Sequence, residues 1–220
     1  LQTVSFTGVG GTLTSIANNA FKGTGITEIE IPEGVTSIGK YAFQNCASLT
    51  KISLPASLTS IGENAIDGCD KLSSIDVAAD NENFSFNDGA FYVETRVDET
   101  KVEVTLAMVL PNRPQGPFVV PERVTSISGY AFADTSVSEV RFMNADTKLE
   151  NYAFANAAKL EKVTLPANLT EISAGAFMNS GLKEIVIPAN ITDIYASAFS
   201  GCSSLTSVTF EGETIKIAKQ

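Results

Sequence analysis

The side chains of this chain that could do chemistry are 25 carboxylates, 15 lysines and arginines, five tyrosines and three cysteines, with no histidine anywhere. Without imidazole, Ser–His and Cys–His nucleophilic pairs cannot be assembled, and general acid or base work would fall to carboxylate, lysine or tyrosine. No GxSxG turn and no CxxC pair occur. Metal sites usually draw on clustered cysteine and histidine, so no catalytic residue, no metal and no cofactor are expected. The acidic run DNENFSFND (80–88) lacks the ligand spacing of a calcium loop and reads as a polar turn. NLT (168–170) and NIT (190–192) match the glycosylation acceptor pattern, as by-products of a threonine that recurs in a repeat.

Whether carboxylates could act in pairs depends on the scaffold that places them. An Ala-Phe pair recurs with its phenylalanine at 21, 43, 132, 154, 177 and 199, and Ile66 occupies the same slot; adjacent members are 22 or 23 residues apart. Upstream lies VTSIG (35–39), LTSIG (58–62), VTSIS (124–128), LTEIS (169–173) or ITDIY (191–195), and before that a segment such as ITEIEIP (26–32) or LKEIVIP (182–188). The unit reads LxxIxIPxxLTSIxxxAFxxC. Its LxxIxI part alternates apolar and polar side chains, as a strand with one buried face does, and the proline ends the strand because it has no N–H for the next ladder bond. Strands that run the same way and are joined by long returns must pair in parallel, and one coil cannot cover its own apolar face. The expected fold is therefore a repeat solenoid: a β-coil stack with one parallel sheet, short irregular or 3-10 return segments and one β-hairpin insert. The chain is read as a single solenoid over 1–220, with N-terminal coils (1–77), an irregular coil with the insert (78–116) and C-terminal coils (117–220).

The solenoid lays the exposed strand residues out in columns. The first holds Glu28, Lys51, Ser74, Glu139, Lys162, Glu184 and Ser207; the second holds Glu30, Ser53, Asp76, Arg141, Thr164, Val186 and Thr209. Signs alternate along the first column. With neighbouring strands about 4.8 Å apart, Glu28 beside Lys51, and Glu139 beside Lys162 beside Glu184, are expected as cross-strand pairs contributing about 0.2–1 kcal/mol each. No two carboxylates converge as glycoside chemistry would need. Ten of these residues (Glu28, Glu30, Lys51, Ser53, Asp76, Glu139, Arg141, Lys162, Thr164 and Glu184) form a candidate partner-binding face.

Cys46, Cys69 and Cys202 each lie three residues beyond the Phe slot, where other coils carry Thr24, Thr135, Ala157 or Ser180. The slot asks for a small residue, and free cysteine packs as one; a Cys46–Cys69 bridge is the alternative. Tyr130 and Tyr152 occupy equivalent slots one coil apart and are expected to pair at the coil edge, with a partner-anchoring role as the other reading.

Two stretches depart from the repeat. Pro55 and Pro121 are 66 residues apart with only one clear unit between them. NFSFNDGAFYV (83–93), the charged turn ETRVDETK (94–101) and VEVTLAMVLP (102–111) read as a β-hairpin projecting from the solenoid. Its candidate contacts are Tyr92, Arg96, Asp98 and Lys101, with Glu99 beside them. At 143–149, MNADTKL replaces the usual PxxLTSI, and a looser loop is expected.

LPASLTSIGENAIDGC and IPEGVTSIGKYAFQNC resemble the repeat of the BspA-like leucine-rich repeat proteins of bacterial surfaces, over nearly the whole chain. NENFSFNDGAFYV is similar to the NPxFxxxDGxLY interruption of that family. The resemblance implies a right-handed leucine-rich solenoid, a cell-surface or secreted location, and adhesion through host-matrix or bacterial-surface proteins; no fixed residue motif comes with these roles.

The net charge of −10 would repel a polyphosphate, so no nucleic acid partner is expected. No apolar run approaches a membrane span, and no direct membrane insertion of this chain is expected. LQTVSF opens the sequence as a strand without the charged and apolar regions of a signal peptide, so further coils or a domain are expected before it, while EGETIKIAKQ reads as a natural end. The expectation for function is a non-catalytic, monomeric protein-binding and adhesion module. The alternatives are a spacer displaying neighbouring domains and a carbohydrate-active enzyme on a β-coil.

Overall fold

In the computed structural model, residues 4, 6, 13–212 and 216–217 are described. Most of LQTVSF, where a strand is expected, and much of the expected terminal segment EGETIKIAKQ lie outside them. The chain divides into two compact units, Leu1–Glu94 and Thr95–Gln220.

The first unit carries β1 (Ser15–Ile16), β2 (Glu28–Glu30), β3 (Ser37–Ile38), β4 (Lys51–Leu54), β5 (Ser60–Ile61), β6 (Ser74–Val77), β7 (Phe84–Asn87) and the start of β8 (Ala90–Arg96). The IP segments form a parallel front sheet, β2-β4-β6, in the expected register: Glu28 opposite Lys51 opposite Ser74. The returns, expected to be irregular or 3-10, instead pair as a second parallel ladder, β1-β3-β5, in which Ser37 faces Ser60 and Ile38 faces Ile61. A β-branched isoleucine beside a serine that tolerates exposure suits a short half-buried strand. The apolar residues between the ladders close over one another. Phe43 is fully buried and stacks on Phe21 with ring centroids 5.3 Å apart and planes 2° apart.

The second unit carries β9 (Val102–Val109), β10 (Gly116–Val120), β11 (Ser126–Ile127), β12 (Val137–Phe142), β13 (Lys148–Leu149), β14 (Lys162–Val163), β15 (Glu171–Ile172), β16 (Glu184–Ile187), β17 (Asp193–Ile194), β18 (Ser207–Phe210) and β19 (Lys216–Ile217). Its front sheet is β10-β12-β14-β16-β18, all parallel. Phe132, Phe154 and Phe177 are fully buried, with centroid spacings of 4.8, 5.2 and 5.4 Å along the series Phe132, Phe154, Phe177, Phe199. The Phe column is thus a continuous spine within each unit.

The expected hairpin is present, with β8 and β9 hydrogen-bonded neighbours in one sheet and the Val97 N–H closing the turn on the Lys101 carbonyl at 2.9 Å, but it is larger than foreseen and built into a solenoid sheet. A further antiparallel turn falls inside the first segment: β7 pairs with β8 around Asp88 and Gly89, whose φ of 50° and 71° give the two left-handed positions of a tight hairpin turn. The second segment is also a solenoid strand, with β9 running parallel to β11 and Thr105 opposite Ser126. Val109 donates its N–H to the Ala131 carbonyl at 2.7 Å, the same bond that Phe154 makes to Ala176. Valine here fills the Phe slot of a coil that lacks the Ala-Phe pair.

The loop at 143–149 is also not loose toward the coil before it. Asn144 Nδ2 and Thr147 Oγ1 both donate to the Val124 carbonyl, at 3.0 and 2.9 Å, and Lys148 stays in register with Ser126.

The three cysteines are free. Their slot takes a small residue, and most of its occupants also donate a hydrogen bond: the thiols of Cys46, Cys69 and Cys202 donate to the carbonyls of Phe21, Phe43 and Phe177, and Thr135 Oγ1 donates to Phe132, whereas Ala157 fills the slot by volume alone. Burial pushes the Cys69 thiol from its ordinary 9.0 up to about 12. The folded protein then keeps a proton that the unfolded chain releases, so this contribution to stability is whole below pH 9.0 and is lost as pH climbs toward 12. Urea midpoints followed across that range should fall with pH, and Cys69→Ala should remove part of the fall. At about pH 8, a thiol reagent should label half-exposed Cys202 well before Cys69.

Candidate functional site

Strand alternation decides which side chains reach the front surface. In β2 the pattern is exposed Glu28, buried Ile29, exposed Glu30; in β16 Glu184 and Val186 point out while Ile185 and Ile187 point in. The core contacts of the isoleucines hold the backbone, and the charged residues project from a rigid sheet rather than from loops.

The expected Lys162–Glu184 pair forms, whereas Lys51 and Glu139 choose partners other than the expected ones. Lys51 stands opposite Glu28, but its ammonium reaches across to Asp76 Oδ2 at 2.6 Å. The hydrogen bond from Lys51, helped by one from Ser74, holds the Asp76 carboxyl below its usual range, and the same contact raises Lys51. The longer lysine reaches diagonally to the second column, to an aspartate whose other oxygen accepts from Ser74. In the second unit Glu139 bonds Arg141 on its own strand at 2.9 Å, leaving Lys162 to pair with Glu184 at 3.3 Å. All these groups except half-buried Glu139 are substantially exposed, so each pair contributes little to stability; they fix which polar atoms face outward.

In the second unit, Lys162, Thr164 and Glu184 come together as expected. The β14–β16 pairing is confined to Lys162 opposite Glu184. Beyond it a groove of about 290 Å³ lies between the strands, lined by these three residues with Val186, Ser207 and Thr209. Arg141 lies in register with Val119 of β10. Sequence reasoning placed Val186 in the second column but missed the rest of the apolar part of this face: Met143 is 63% exposed and Val119 49%, beside Val186 at 48%. The strand period alone could have found Val119, since it precedes Arg141 in the second column. In the first unit Glu28, Glu30, Lys51, Ser53 and Asp76 share the β2-β4-β6 face.

Tyr92, expected as a hairpin contact, is only 1% exposed: β8 begins with three buried residues and turns outward only at its end, so Tyr92 belongs to the core. Arg96, Asp98, Glu99 and Lys101 are exposed on the turn that leads from β8 into β9. That turn is held by Asp98 Oδ1, which accepts from the N–H groups of Thr100 and Lys101 at 2.8 and 2.9 Å and from Thr100 Oγ1 at 2.8 Å. These bonds lower the Asp98 pKa, the Thr100 N–H contributing most. Tyr130 and Tyr152 do pair, stacked 5.4 Å apart at 4°.

Among the described residues, no helix is long and apolar enough to cross a membrane. The family profile for a BspA type leucine rich repeat region matches six copies over residues 14–109 and 116–220. No curated protein matches the sequence. Three solved structures share the fold. A leucine rich cell surface protein from Faecalibacterium prausnitzii is 25% identical, with a TM-score of 0.68 over 91% of this chain and 64% of its own. The pneumococcal vaccine antigen PcpA is 22% identical, with a TM-score of 0.68 over 92% of this chain and 61% of its own. A leucine-rich repeat protein from Eubacterium ventriosum is 20% identical, with a TM-score of 0.66 over 88% and 57%. This chain therefore spans 57–64% of the length of these relatives. The repeat, its stacked Phe spine, its parallel front sheets and the profile match across both units agree, and the chain belongs to the BspA type leucine rich repeat family.

Proposed function

We propose that this chain is a non-catalytic binding module of a bacterial cell-surface or secreted protein, and that it contacts host-matrix or bacterial-surface proteins through its front sheets. The observation that carries this reading is the composition of the front face: exposed valine and methionine stand beside ion-paired Arg141, Glu139, Lys162 and Glu184 on a backbone fixed from below. Protein interfaces combine such an apolar centre with arginine and a polar rim. The likeness to a cell-surface protein supports the location. The turn at 97–101 is a second contact of the same module, because its shape is set by Asp98 before any partner arrives.

The test is partner capture from host-matrix and bacterial-surface extracts on immobilised chain. Arg141→Glu together with Met143→Ser should lower capture by about tenfold or more, the loss of one strong interface contact. Replacing 97–101 by Asn-Gly should lower it less. Capture unchanged by both would overturn the binding reading in favour of a spacer, and turnover of any polysaccharide in a panel would contradict the non-catalytic assignment.

A further inference from the structure

The return face of the second unit contains an opening that the repeat does not require. In other coils, the residue after the return isoleucine or leucine donates its amide to the equivalent carbonyl of the coil before: Gly39 to Ile16 at 2.8 Å, Gly62 to Ile38 at 2.7 Å, Glu150 to Ile127 at 3.0 Å and Tyr195 to Ile172 at 2.9 Å. At Ser173 the side-chain hydroxyl takes the Leu149 carbonyl instead, at 2.6 Å. The ladder stops there: β13 ends the sheet that contains β11, and β15 begins the sheet that contains β17. The next closure is Asn168 N–H to the Ala145 carbonyl at 2.9 Å.

Between these closures lies a groove of about 970 Å³. The alternation that turns the Lys148 and Glu150 amides toward Thr125 and Ile127 turns the Leu149 amide into the groove, and the Glu171 N–H and carbonyl face it from β15. β13 and β15 do not pair with one another as strands, so their facing edges offer main-chain donors and acceptors at strand spacing. Asp146, Glu150 and Glu171 line the groove against one cation, Lys148, so its charge is negative.

We propose that this groove is a second binding site, separate from the front sheet, for a short extended segment of a partner protein that carries arginine or lysine. A peptide supplies alternating N–H and carbonyl groups to match Leu149 and Glu171, and its cationic side chains meet Glu150 and Glu171. The two closures limit the site to a short segment rather than a whole added strand. The cause lies in the chain itself: Asn144 and Thr147 tie the loop to Val124 of the coil before, while Ser173 holds off the coil after.

The experiment is fluorescence anisotropy of the full chain with a labelled hexapeptide of alternating arginine and threonine, against its glutamate-threonine counterpart and maltohexaose. The arginine peptide should bind and the other two should not. Glu150→Gln with Glu171→Gln should weaken it by about tenfold, as loss of charge-assisted bonds does, and Glu99→Gln, which changes charge elsewhere, should leave it unchanged. Ser173→Gly should let the amide take the Leu149 carbonyl, close the groove and abolish binding, with far-ultraviolet circular dichroism confirming an intact sheet. Arg141→Glu should leave this binding intact, which separates it from the front-face reading. Binding of the arginine peptide that Glu99→Gln weakens as much as the groove variants do, or that survives both the glutamate replacements and Ser173→Gly, would overturn the proposal. Absence of binding, or preferential binding of maltohexaose, would do so as well.

Discussion

Phe154→Ala should destabilise the protein by about 3–5 kcal/mol, the range for deleting a fully buried aromatic ring. Phe154 has no exposed surface and lies between Phe132 at 4.8 Å and Phe177 at 5.2 Å, so truncation removes two stacked contacts and leaves a cavity inside the spine. Coils on either side are fixed by their own ladders, which limits collapse into the gap. For a chain of this size the thermal midpoint should drop by about 10 °C. Phe210→Ala, at a ring that is 45% exposed, should cost far less. Thermal melts by circular dichroism compare the two; equal losses would mean that the Phe column is not the spine.

Asn81→Leu should cost about 2 kcal/mol or more, since it removes the side-chain partner of the Pro55 carbonyl and of the Asn83 and Phe84 N–H groups, while the Leu58 carbonyl keeps Asn83 Nδ2 at 3.4 Å. Asn81 Nδ2 donates to the carbonyls of Pro55 and Leu58 at 2.7 and 3.1 Å, and its Oδ1 accepts from the N–H groups of Asn83 and Phe84 at 2.8 and 2.9 Å. One amide side chain thereby ties the entry of the β7–β8 hairpin to the coil beneath it. Asn81→Asp keeps the acceptor and loses the donor, so it should fall between the two. Denaturant titration of the three proteins gives the order; an Asn81→Leu protein as stable as the parent would contradict this brace.

The regular coils were legible because each carries its own signals: alternation for the strand, proline for its end and Ala-Phe for the spine. The coil through Val109 was legible only as half of a hairpin, because its Phe slot holds valine and its eight-residue alternation, VEVTLAMV, does not show that β9 pairs with β11 as well as with β8. Alternation gives the buried face of a strand and not its partner. Lys162–Glu184 was assigned rightly, but the partners of Lys51 and Glu139 were not, for a related reason: register fixes which backbones are opposite, whereas a long side chain spans more than one column, as Lys51 does to Asp76.

One signal in the sequence went unused. The residue two beyond the Phe slot is Gly23, Asn45, Gly68, Asp134, Asn156, Asn179 or Gly201, and all have φ between 56° and 72°, in the left-handed region. Asparagine, aspartate and glycine tolerate that conformation best, so the series marks the corner of every regular coil. Two residues before the Phe slot the backbone is left-handed again, at Tyr41, Tyr130 and Tyr152 with φ of 59°, 61° and 65°. Bulky residues there carry strain of order 1 kcal/mol, which the stacking of Tyr130 on Tyr152 offsets. The return groove was hidden for a different reason: its cause is a single serine hydroxyl in place of an amide, and LTEIS differs from VTSIS in nothing that periodicity can read.

The register of the front columns is tested most directly by disulfide trapping. With Glu139 opposite Lys162, the Cα atoms of a Glu139→Cys/Lys162→Cys pair lie about 4.8 Å apart, inside the range a disulfide spans. A Glu139→Cys/Thr164→Cys pair is displaced by two residues to about 8 Å, outside it. Under mild oxidation, peptide mapping by mass spectrometry should find the first bridge and not the second. Efficient bridging of the displaced pair, with none between 139 and 162, would contradict the stacked columns on which the binding face depends.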